Sequence, residues 1–205
     1  YMLDAARIFT LGAIDSGKKP AVINAVMKYH STEMFRKSIN DAMDIVGGAG
    51  ISLGEKNLLG HAYMGAPIAI TVEGANIMTR TLIQFGQGVI RCHPHAYKEI
   101  TALESGDIDA FDEAFFGHVG FTFKNMLKMV LLSLSRGYLH SPVSRGAGAY
   151  YERKLAWSSI SFAFLTDFIM GYYGGGLKQK EKITARFGDI LSAMYLLSAT
   201  LRRYK

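Results

Sequence analysis

The chain has 205 residues, of which 49% are hydrophobic and 20% are charged, and its formal net charge is +6. This balance excludes an intrinsically disordered chain, because enough apolar side chains are present to bury a core. The single cysteine, Cys92, excludes an internal disulfide framework and is typical of a reducing compartment. The length suits one large domain or two small ones, and the start at Tyr1, within an amphipathic pattern, predicts an excerpt from a longer protein.

The charges are unevenly distributed along the chain. Residues 96–113 carry six acids and one lysine, whereas residues 178–205 carry seven basic residues and two acids. A basic end of this kind suits a phosphorylated ligand or an anionic membrane surface, although a solvated helix face has the same composition. No basic patch interleaved with aromatic residues and no nucleic-acid motif occurs, so no nucleic-acid partner is predicted.

Apolar residues recur every three or four positions along most of the chain, which predicts helices. The predicted helices span residues 2–16, 21–46, 55–66, 75–89, 111–116, 121–139, 155–173 and 178–204. Gly17 and the run Gly47-Gly48-Ala49-Gly50 are expected to end the first two helices, and Pro67 is expected to close the third. The glycine run also suits a loop that approaches a phosphate or another subunit closely.

No segment of useful length has the period of a strand, and no internal repeat is evident, so the predicted fold class is all-α. Residues 155–173 approach the length of a membrane span, but their hydroxyl residues and Asp167 favour a buried bundle helix. Ser141-Pro142 and Gly146-Ala147-Gly148 are predicted to mark a loop. The acidic stretch with Ser105-Gly106-Asp107 predicts a boundary between two helical units.

Glu73 is the candidate catalytic residue. It lies between the apolar run that starts at Ile68 and the flexible Gly74. Desolvation at such a position would raise the pKa of the carboxyl group, which suits a general base working near neutral pH. A glutamate in the first turn of a helix is also favoured by the helix dipole without any catalytic role, so this stretch alone leaves both interpretations open.

A metal site is not predicted. Cys92, His93 and His95 are candidate ligands, but they are too close together in sequence for a usual structural zinc site, and no second pair of ligands completes one.

Three features then occur in order: a long helix that ends in Asp44-Ile45-Val46-Gly47-Gly48-Ala49-Gly50, the triplet Val72-Glu73-Gly74, and Arg80. Together they resemble the C-terminal helical domain of flavin-dependent acyl-CoA dehydrogenases, in which a Gln-x-x-Gly-Gly-x-Gly loop precedes an x-Glu-Gly-Thr motif. Residues 115–120 and 186–192 resemble the additional C-terminal region of the large bacterial members that act in fatty-acid β-oxidation. The resemblance covers essentially the whole chain. It implies a four-helix-bundle-type domain at residues 1–95 and a bacterial-type helical extension at residues 96–205.

The resemblance also implies a reaction. Glu73 would remove the α-proton of an acyl-CoA while a hydride leaves the β-carbon for the N5 atom of FAD, which yields a trans-2-enoyl-CoA. The backbone N–H of Glu73 would hydrogen-bond the thioester carbonyl, where charge develops. Gly74 is the implied substrate-binding residue, because a side chain there would crowd the acyl chain or the flavin.

Six residues are implied to bind the cofactor. Asp44, Gly47 and Gly48 would contact the adenosine and pyrophosphate portion of the flavin of a neighbouring subunit. The other three, which follow the catalytic residue and would face the flavin, are Ala75, Asn76 and Ile77. The sequence departs from the family pattern at Asp44 (usually glutamine), at Ala75 (usually threonine) and at Met64-Gly65 (usually Arg-Asp), and we interpret these departures as subfamily differences.

The implied partners are an acyl-CoA substrate, an electron-transfer flavoprotein as electron acceptor, and a second copy of the chain in a homodimer. The expected location is cytoplasmic. The pair Lys124 and Lys128 leaves open a peripheral contact with the inner membrane, although a core helix with two snorkelling lysines has the same pattern. The piece alone, without the domains that hold most of the flavin, is expected to be inactive. The alternative function is a non-catalytic helical module for dimerisation or docking to a membrane surface.

Overall fold

The computed structural model describes residues 1–204, and every regular element in that range is helical. The elements are α1 (Met2–Asp15), α2 (Ala21–Val46), α3 (Gly48–Ile51), α4 (Gly60–Thr71), α5 (Asn76–Met78), a π-helix (Thr79–Gly86), α6 (Gly88–Cys92), α7 (Ala96–Ser105), α8 (Ile108–Leu134), α9 (Ala147–Tyr173), a 3₁₀-helix (Gly174–Gln179) and α10 (Glu181–Tyr204). The all-α prediction is confirmed.

Glycines end the first two helices as predicted. Gly17 follows α1 with φ +79°, and Gly47 follows α2 with φ +60°. Both values lie in the left-handed region, where a side chain would be strained, so glycine is the residue that stops a helix there at least cost.

The predicted third helix is displaced. It was expected at residues 55–66 with Pro67 as its end, but α4 spans Gly60–Thr71 and contains Pro67. The side-chain oxygen of Asn57 accepts the backbone N–H groups of Leu59 and Gly60 at 2.9 and 2.8 Å, which turns the chain just before the helix. Pro67 removes one backbone donor without stopping the helix.

Two further boundaries differ from the prediction. The expected helices 111–116 and 121–139 form the single helix α8, which begins where the side chain of Asp107 accepts the N–H of Ala110 at 3.0 Å. Gly117 lies within this helix and packs closely against His95, since an added Cβ would be 2.8 Å from His95 Cε1. The loop predicted from Ser141-Pro142 to Gly148 ends two residues early, at Gly146 with φ +61°, because α9 begins at Ala147 and not at the predicted residue 155.

Two apolar clusters form the core. The first consists of Ala6 from α1 with Leu196 and Ala199 from α10. The second joins Phe85, Val89 and Leu177 to partly buried side chains of α9 and α10. Helix α10 thus packs on elements at the start and in the middle of the chain, so each cluster combines residues from both predicted units.

Candidate functional site

Glu73 lies in a strained turn. After α4 ends at Thr71, Glu73 has φ +56° and Gly74 has φ +91°. A residue with a Cβ in this region costs of order 1–3 kcal/mol and persists only where the surrounding structure holds it. Such residues cluster at functional sites, so the strained turn supports a functional role for Glu73 as a hypothesis.

Lys28, on α2, holds the turn. Its ammonium group donates to the carbonyl oxygen of Gly74 at 2.6 Å and to the side-chain oxygen of Asn76 at 2.6 Å. A longer contact of 3.4 Å reaches the carbonyl oxygen of Ile70, at the end of α4. One cation thereby ties both sides of the Glu73 turn to α2, and hydrogen bonds from a charged donor are among the stronger ones in proteins.

Asn76 is the second anchor of the turn. It is 3% exposed, and its side-chain amide donates to Glu33 Oε1 at 2.8 Å and to Thr32 Oγ1 at 2.9 Å. These contacts occupy the side chain that was predicted to bind the cofactor. A flavin contact at Asn76 would therefore have to use the backbone.

The carboxylate of Glu73 itself is exposed, and it has no hydrogen bond or ion pair with any other residue of the described range 1–204. The expectation that the preceding apolar run desolvates this carboxylate is wrong for these residues. The run forms α4, which ends at Thr71, so the turn that carries Glu73 lies at the surface. The turn thus presents an unpaired carboxylate on a backbone that Lys28 anchors through hydrogen bonds.

The other predicted cofactor residues fall into two separate groups. Ala75 is half-buried and Ile77 is exposed, both beside Glu73. Asp44, Gly47 and Gly48 are exposed at the far end of α2. Gly47 lies nineteen residues beyond Lys28 on the same axis, which is about 28 Å at the rise of an α-helix. A ligand beside Glu73 would thus be remote from Gly47 of the same chain. The cofactor-binding role of Asp44, Gly47 and Gly48 stays a prediction, and it would need a neighbouring subunit.

The π-helix that follows the turn is fastened to α10. Arg80 donates from Nε to Asp189 Oδ1 at 2.6 Å and from an Nη atom to Asp189 Oδ2 at 2.5 Å. Hydrogen bonding to Asp189 raises the pKa of Arg80 above its ordinary value. π-Helices are rare and are frequent at functional sites, so the segment after Glu73 is a second unusual backbone in the same region.

A cluster of histidines and acids lies where the loop after α6 meets α7, α8 and α9. His93 Nε2 is 2.8 Å from Asp167 Oδ1, His118 Nδ1 is 2.7 Å from Glu99 Oε1, and His118 Nε2 is 3.7 Å from Asp167 Oδ1. The side chains of His93 and Asp167 are buried. One ligand-type atom from each of His93, His118 and Asp167 lies within 4.8 Å of the others.

The hydrogen bonds around His93 favour a proton over a metal ion at this cluster. His93 Nδ1 accepts the backbone N–H groups of Ala96 and His95, at 3.0 and 3.2 Å. A neutral imidazole that accepts at Nδ1 carries its proton on Nε2, so Nε2 has no lone pair for a metal and donates to Asp167 instead. We interpret the cluster as a buried hydrogen-bond network that joins three helices.

Sequence reasoning missed Lys28, Thr32 and Glu33, the residues that position the turn. Their partners lie 42 to 48 positions further along the chain. No local pattern marks such pairs, because each residue also fits the polar side of an amphipathic helix.

Comparison with known families finds two adjoining matches. A family model described as "Acyl-CoA dehydrogenase, C-terminal domain" matches residues 2–86, and one described as "Acyl-CoA dehydrogenase, C-terminal, bacterial type" matches residues 90–205. No solved structure matches the chain.

Proposed function

Because the chain belongs to the acyl-CoA dehydrogenase family, we propose that it is the C-terminal portion of a flavin-dependent enzyme that oxidises acyl-CoA to trans-2-enoyl-CoA in fatty-acid β-oxidation. The proposed cofactor is FAD, the substrate is an acyl-CoA, and the electron acceptor is an electron-transfer flavoprotein. The observation that carries this proposal is the free carboxylate of Glu73 on a strained, anchored turn.

Glu73 is the proposed base. Its carboxylate takes the α-proton of the acyl-CoA, and the electron pair of that C–H bond becomes the new double bond as a hydride leaves the β-carbon. When bound, FAD supplies the acceptor for that hydride. The backbone N–H of Glu73 is proposed to donate to the thioester carbonyl, where it stabilises the developing enolate without reorganisation.

The residues beside Glu73 fit a flat, largely apolar ring. Ala75 presents a small side chain, and Ile77 is 67% exposed next to the turn. An exposed isoleucine beside a free carboxylate offers an apolar contact for the ring and a base for the substrate. Substrate, cofactor and further domains would exclude water from Glu73, which supplies the desolvation that residues 1–204 do not provide.

The test is Glu73→Gln in the intact protein that contains this chain. Gln keeps the size of the side chain and removes the base, so we expect turnover of acyl-CoA to fall by about a hundredfold or more while flavin stays bound. The matched control is Glu104→Gln, an exposed glutamate of α7 away from the turn, which should keep wild-type turnover. Full turnover by the Glu73 variant with bound flavin would rule out the proposed role.

A second candidate function is a non-catalytic helical module for dimerisation or membrane-surface docking, favoured by an exposed apolar face on α8. No helix within residues 1–204 is long and apolar enough to cross a bilayer. Under this candidate a cytoplasmic protein would touch the inner membrane from its surface. Flotation of the intact protein with anionic liposomes tests it, and a protein that stays wholly in the soluble fraction would contradict membrane docking.

A further inference from the structure

A groove with a cavity volume of about 740 Å³ lies between α8 and α9, and we call it the α8–α9 groove. This volume suits a small organic ligand, because ligand sites in proteins usually enclose about 300–1,000 Å³. Much of the lining is aromatic and reaches solvent: Phe123 is 57% exposed and Phe168 is 61% exposed. The aromatic side chains of the lining are Phe115, Phe123, Phe164, Phe168 and Tyr172. A concave, exposed aromatic surface of this kind indicates a binding site.

Three ionisable side chains also line the α8–α9 groove: Glu99 of α7, His118 of α8 and Asp167 of α9. Glu99 Oε1 accepts from His118 Nδ1 at 2.7 Å, whereas Glu99 Oε2 has no hydrogen-bond partner within residues 1–204. His118 Nε2 lies 3.7 Å from Asp167 Oδ1. The side chains of Glu99 and His118 are mostly buried and that of Asp167 is almost wholly buried, so these charges act in partly dehydrated surroundings.

The ionisable side chains give the α8–α9 groove a net negative charge. Burial raises the pKa of Asp167, but the hydrogen bonds from His93 and Thr122 outweigh burial and lower the pKa, so this carboxylate is ionised at neutral pH. Even a protonated His118 offsets only one of the two carboxylates. Among the described residues, no lysine or arginine lines the groove. The groove therefore repels an anionic ligand and attracts a cationic one, and the attraction is stronger than it would be in bulk water.

Gly171 keeps the α8–α9 groove open. It lies within α9 and lines the groove, and nothing lies within 4 Å of a Cβ added to it. Glycine is a poor helix former, and neither a close neighbour nor a positive φ requires it at this position. The missing side chain leaves space that a ligand can occupy.

We propose that the α8–α9 groove binds a small organic ammonium ion with an apolar body. The ammonium group meets the carboxylates of Glu99 and Asp167, and the apolar body lies against the aromatic walls. Aromatic faces attract cations as well as apolar groups, so both parts of such a ligand suit this lining. A free molecule suits the groove better than a phospholipid head group does, because the phosphate beside the lipid's ammonium group would meet the same carboxylates.

Probes that differ in charge but share one chain length test the ligand class. n-Octylammonium, n-octanol and octanoate are titrated into the intact protein by isothermal titration calorimetry. The binding compared is the part that Gly171→Leu removes, which separates this groove from any other apolar site. n-Octylammonium should bind at least about tenfold more tightly than n-octanol, and octanoate should bind more weakly than either. Binding of n-octylammonium that is no tighter than that of n-octanol or octanoate would overturn the proposal.

Gly171→Leu tests the location of the ligand. The open space around the added Cβ allows the substitution without displacing a neighbour, so helical content by circular dichroism should be kept. The dissociation constant for n-octylammonium should rise by at least about tenfold, because leucine fills the groove. Gly120→Leu on α8 is the matched control, since its Cβ also meets open space but does not line the groove, and it should bind as wild type does. Unchanged binding by a folded Gly171→Leu protein would overturn the proposal.

Glu99→Gln tests the role of charge. Glutamine can still accept from His118 but carries no charge, so the dissociation constant for n-octylammonium should rise at least about fivefold while that for n-octanol stays the same. Glu104→Gln, an exposed position of the same helix, should leave both constants unchanged. An equal loss of both probes in Glu99→Gln would overturn the charge assignment. Flotation with phosphatidylcholine vesicles that Gly171→Leu abolishes would overturn the assignment to a free molecule.

Discussion

At the scale of single residues, Glu73 and Gly74 have an unusual backbone conformation, because both have a positive φ. Two successive left-handed residues are unfavourable for a chain of L-residues, and the cost is offset by Lys28 and Asn76. The anchors act on the backbone and leave the Glu73 carboxylate free. An anchored backbone with an unpaired carboxylate would suit a general base, because the base has to meet its substrate in one orientation.

Lys28→Met tests the anchor. The substitution keeps much of the aliphatic stem and leaves the Gly74 carbonyl and the Asn76 side-chain oxygen without their cationic donor. We expect the free energy of unfolding to fall by about 1–3 kcal/mol. If Glu73 is the base, kcat of the intact enzyme should fall by tenfold or more with a smaller change in KM.

Three comparisons interpret the Lys28 result. Lys28→Arg should recover part of the loss, and the exposed Lys18→Met should behave as wild type in both measurements. A Lys28→Met protein that loses stability but keeps wild-type kcat would show that the lysine supports the fold only. Inactive Glu73→Gln together with fully active Lys28→Met would retain the catalytic assignment and remove the positioning role.

At the scale of elements, the closest approach described here is the contact between α10 and the π-helix at Gly188. A Cβ added to Gly188 would lie 2.7 Å from the carbonyl oxygen of Arg80 and 3.2 Å from Gln84 Oε1. The absence of a side chain at Gly188 lets the two backbones approach closely. The Arg80–Asp189 ion pair beside it is partly exposed, and exposed ion pairs contribute little to stability. We therefore expect the close packing at Gly188 to stabilise the contact between α10 and the π-helix more than this ion pair does.

Gly188→Ala should push α10 away from the π-helix. Because the obstructing atom belongs to backbone, relief requires a shift of a whole element, and we expect a loss of about 1–3 kcal/mol in the free energy of unfolding. Gly12→Ala is the matched control, since nothing lies within 4 Å of the added Cβ in α1. Alanine is the better helix former, so this control should gain up to about 1 kcal/mol. Equal effects from both substitutions in chemical denaturation would contradict the close-approach argument.

At the scale of the whole molecule, the network around Asp167 joins the loop after α6 to α8 and α9. Thr122 of α8 donates to Asp167 Oδ2 at 2.7 Å, and His93 donates to Oδ1 at 2.8 Å. Burial by itself would raise the pKa of Asp167. The hydrogen bonds from His93 and Thr122, with the nearby His118, outweigh burial and lower the pKa below its ordinary value of 3.8.

The lowered pKa of Asp167 makes its contribution to stability dependent on pH. A carboxyl group whose folded pKa is depressed stabilises the protein above its unfolded pKa, and this contribution is lost as the pH falls through the folded value. Asp167→Asn leaves one of the two donors without an acceptor and should cost about 1–3 kcal/mol at pH 7. The difference between wild type and variant should shrink as the pH falls below 3.8. His93, His118, His95 and Glu99 also surround this site, so the variant has to be compared with wild type at each pH. A difference that is the same at pH 7 and at strongly acidic pH would contradict this account.

The amino-acid sequence by itself determined the local features of this protein. Helical spacing predicted α1 and α2 with their glycine stops, and the order of Gly47-Gly48, Glu73-Gly74 and the residues near Asp189 indicated the family. These signals depend on neighbours a few positions apart, where periodicity, left-handed glycines and motif spacing act.

Only the tertiary structure decided what distant residues do to one another. The segments 111–116 and 121–139, expected to be separate, form one helix in which Gly117 packs closely against His95. His93, considered beside Cys92 and His95, instead meets Asp167 from a helix 74 positions away. Glu73 was expected to be covered by the apolar run before it, yet that run forms α4 and the turn lies at the surface, held by Lys28 from another helix. Residues that are distant in the sequence come into contact because their shapes fit together and because each buried polar group needs a hydrogen-bond partner. A pattern of neighbouring residues depends on neither of these requirements, so it cannot predict the contacts.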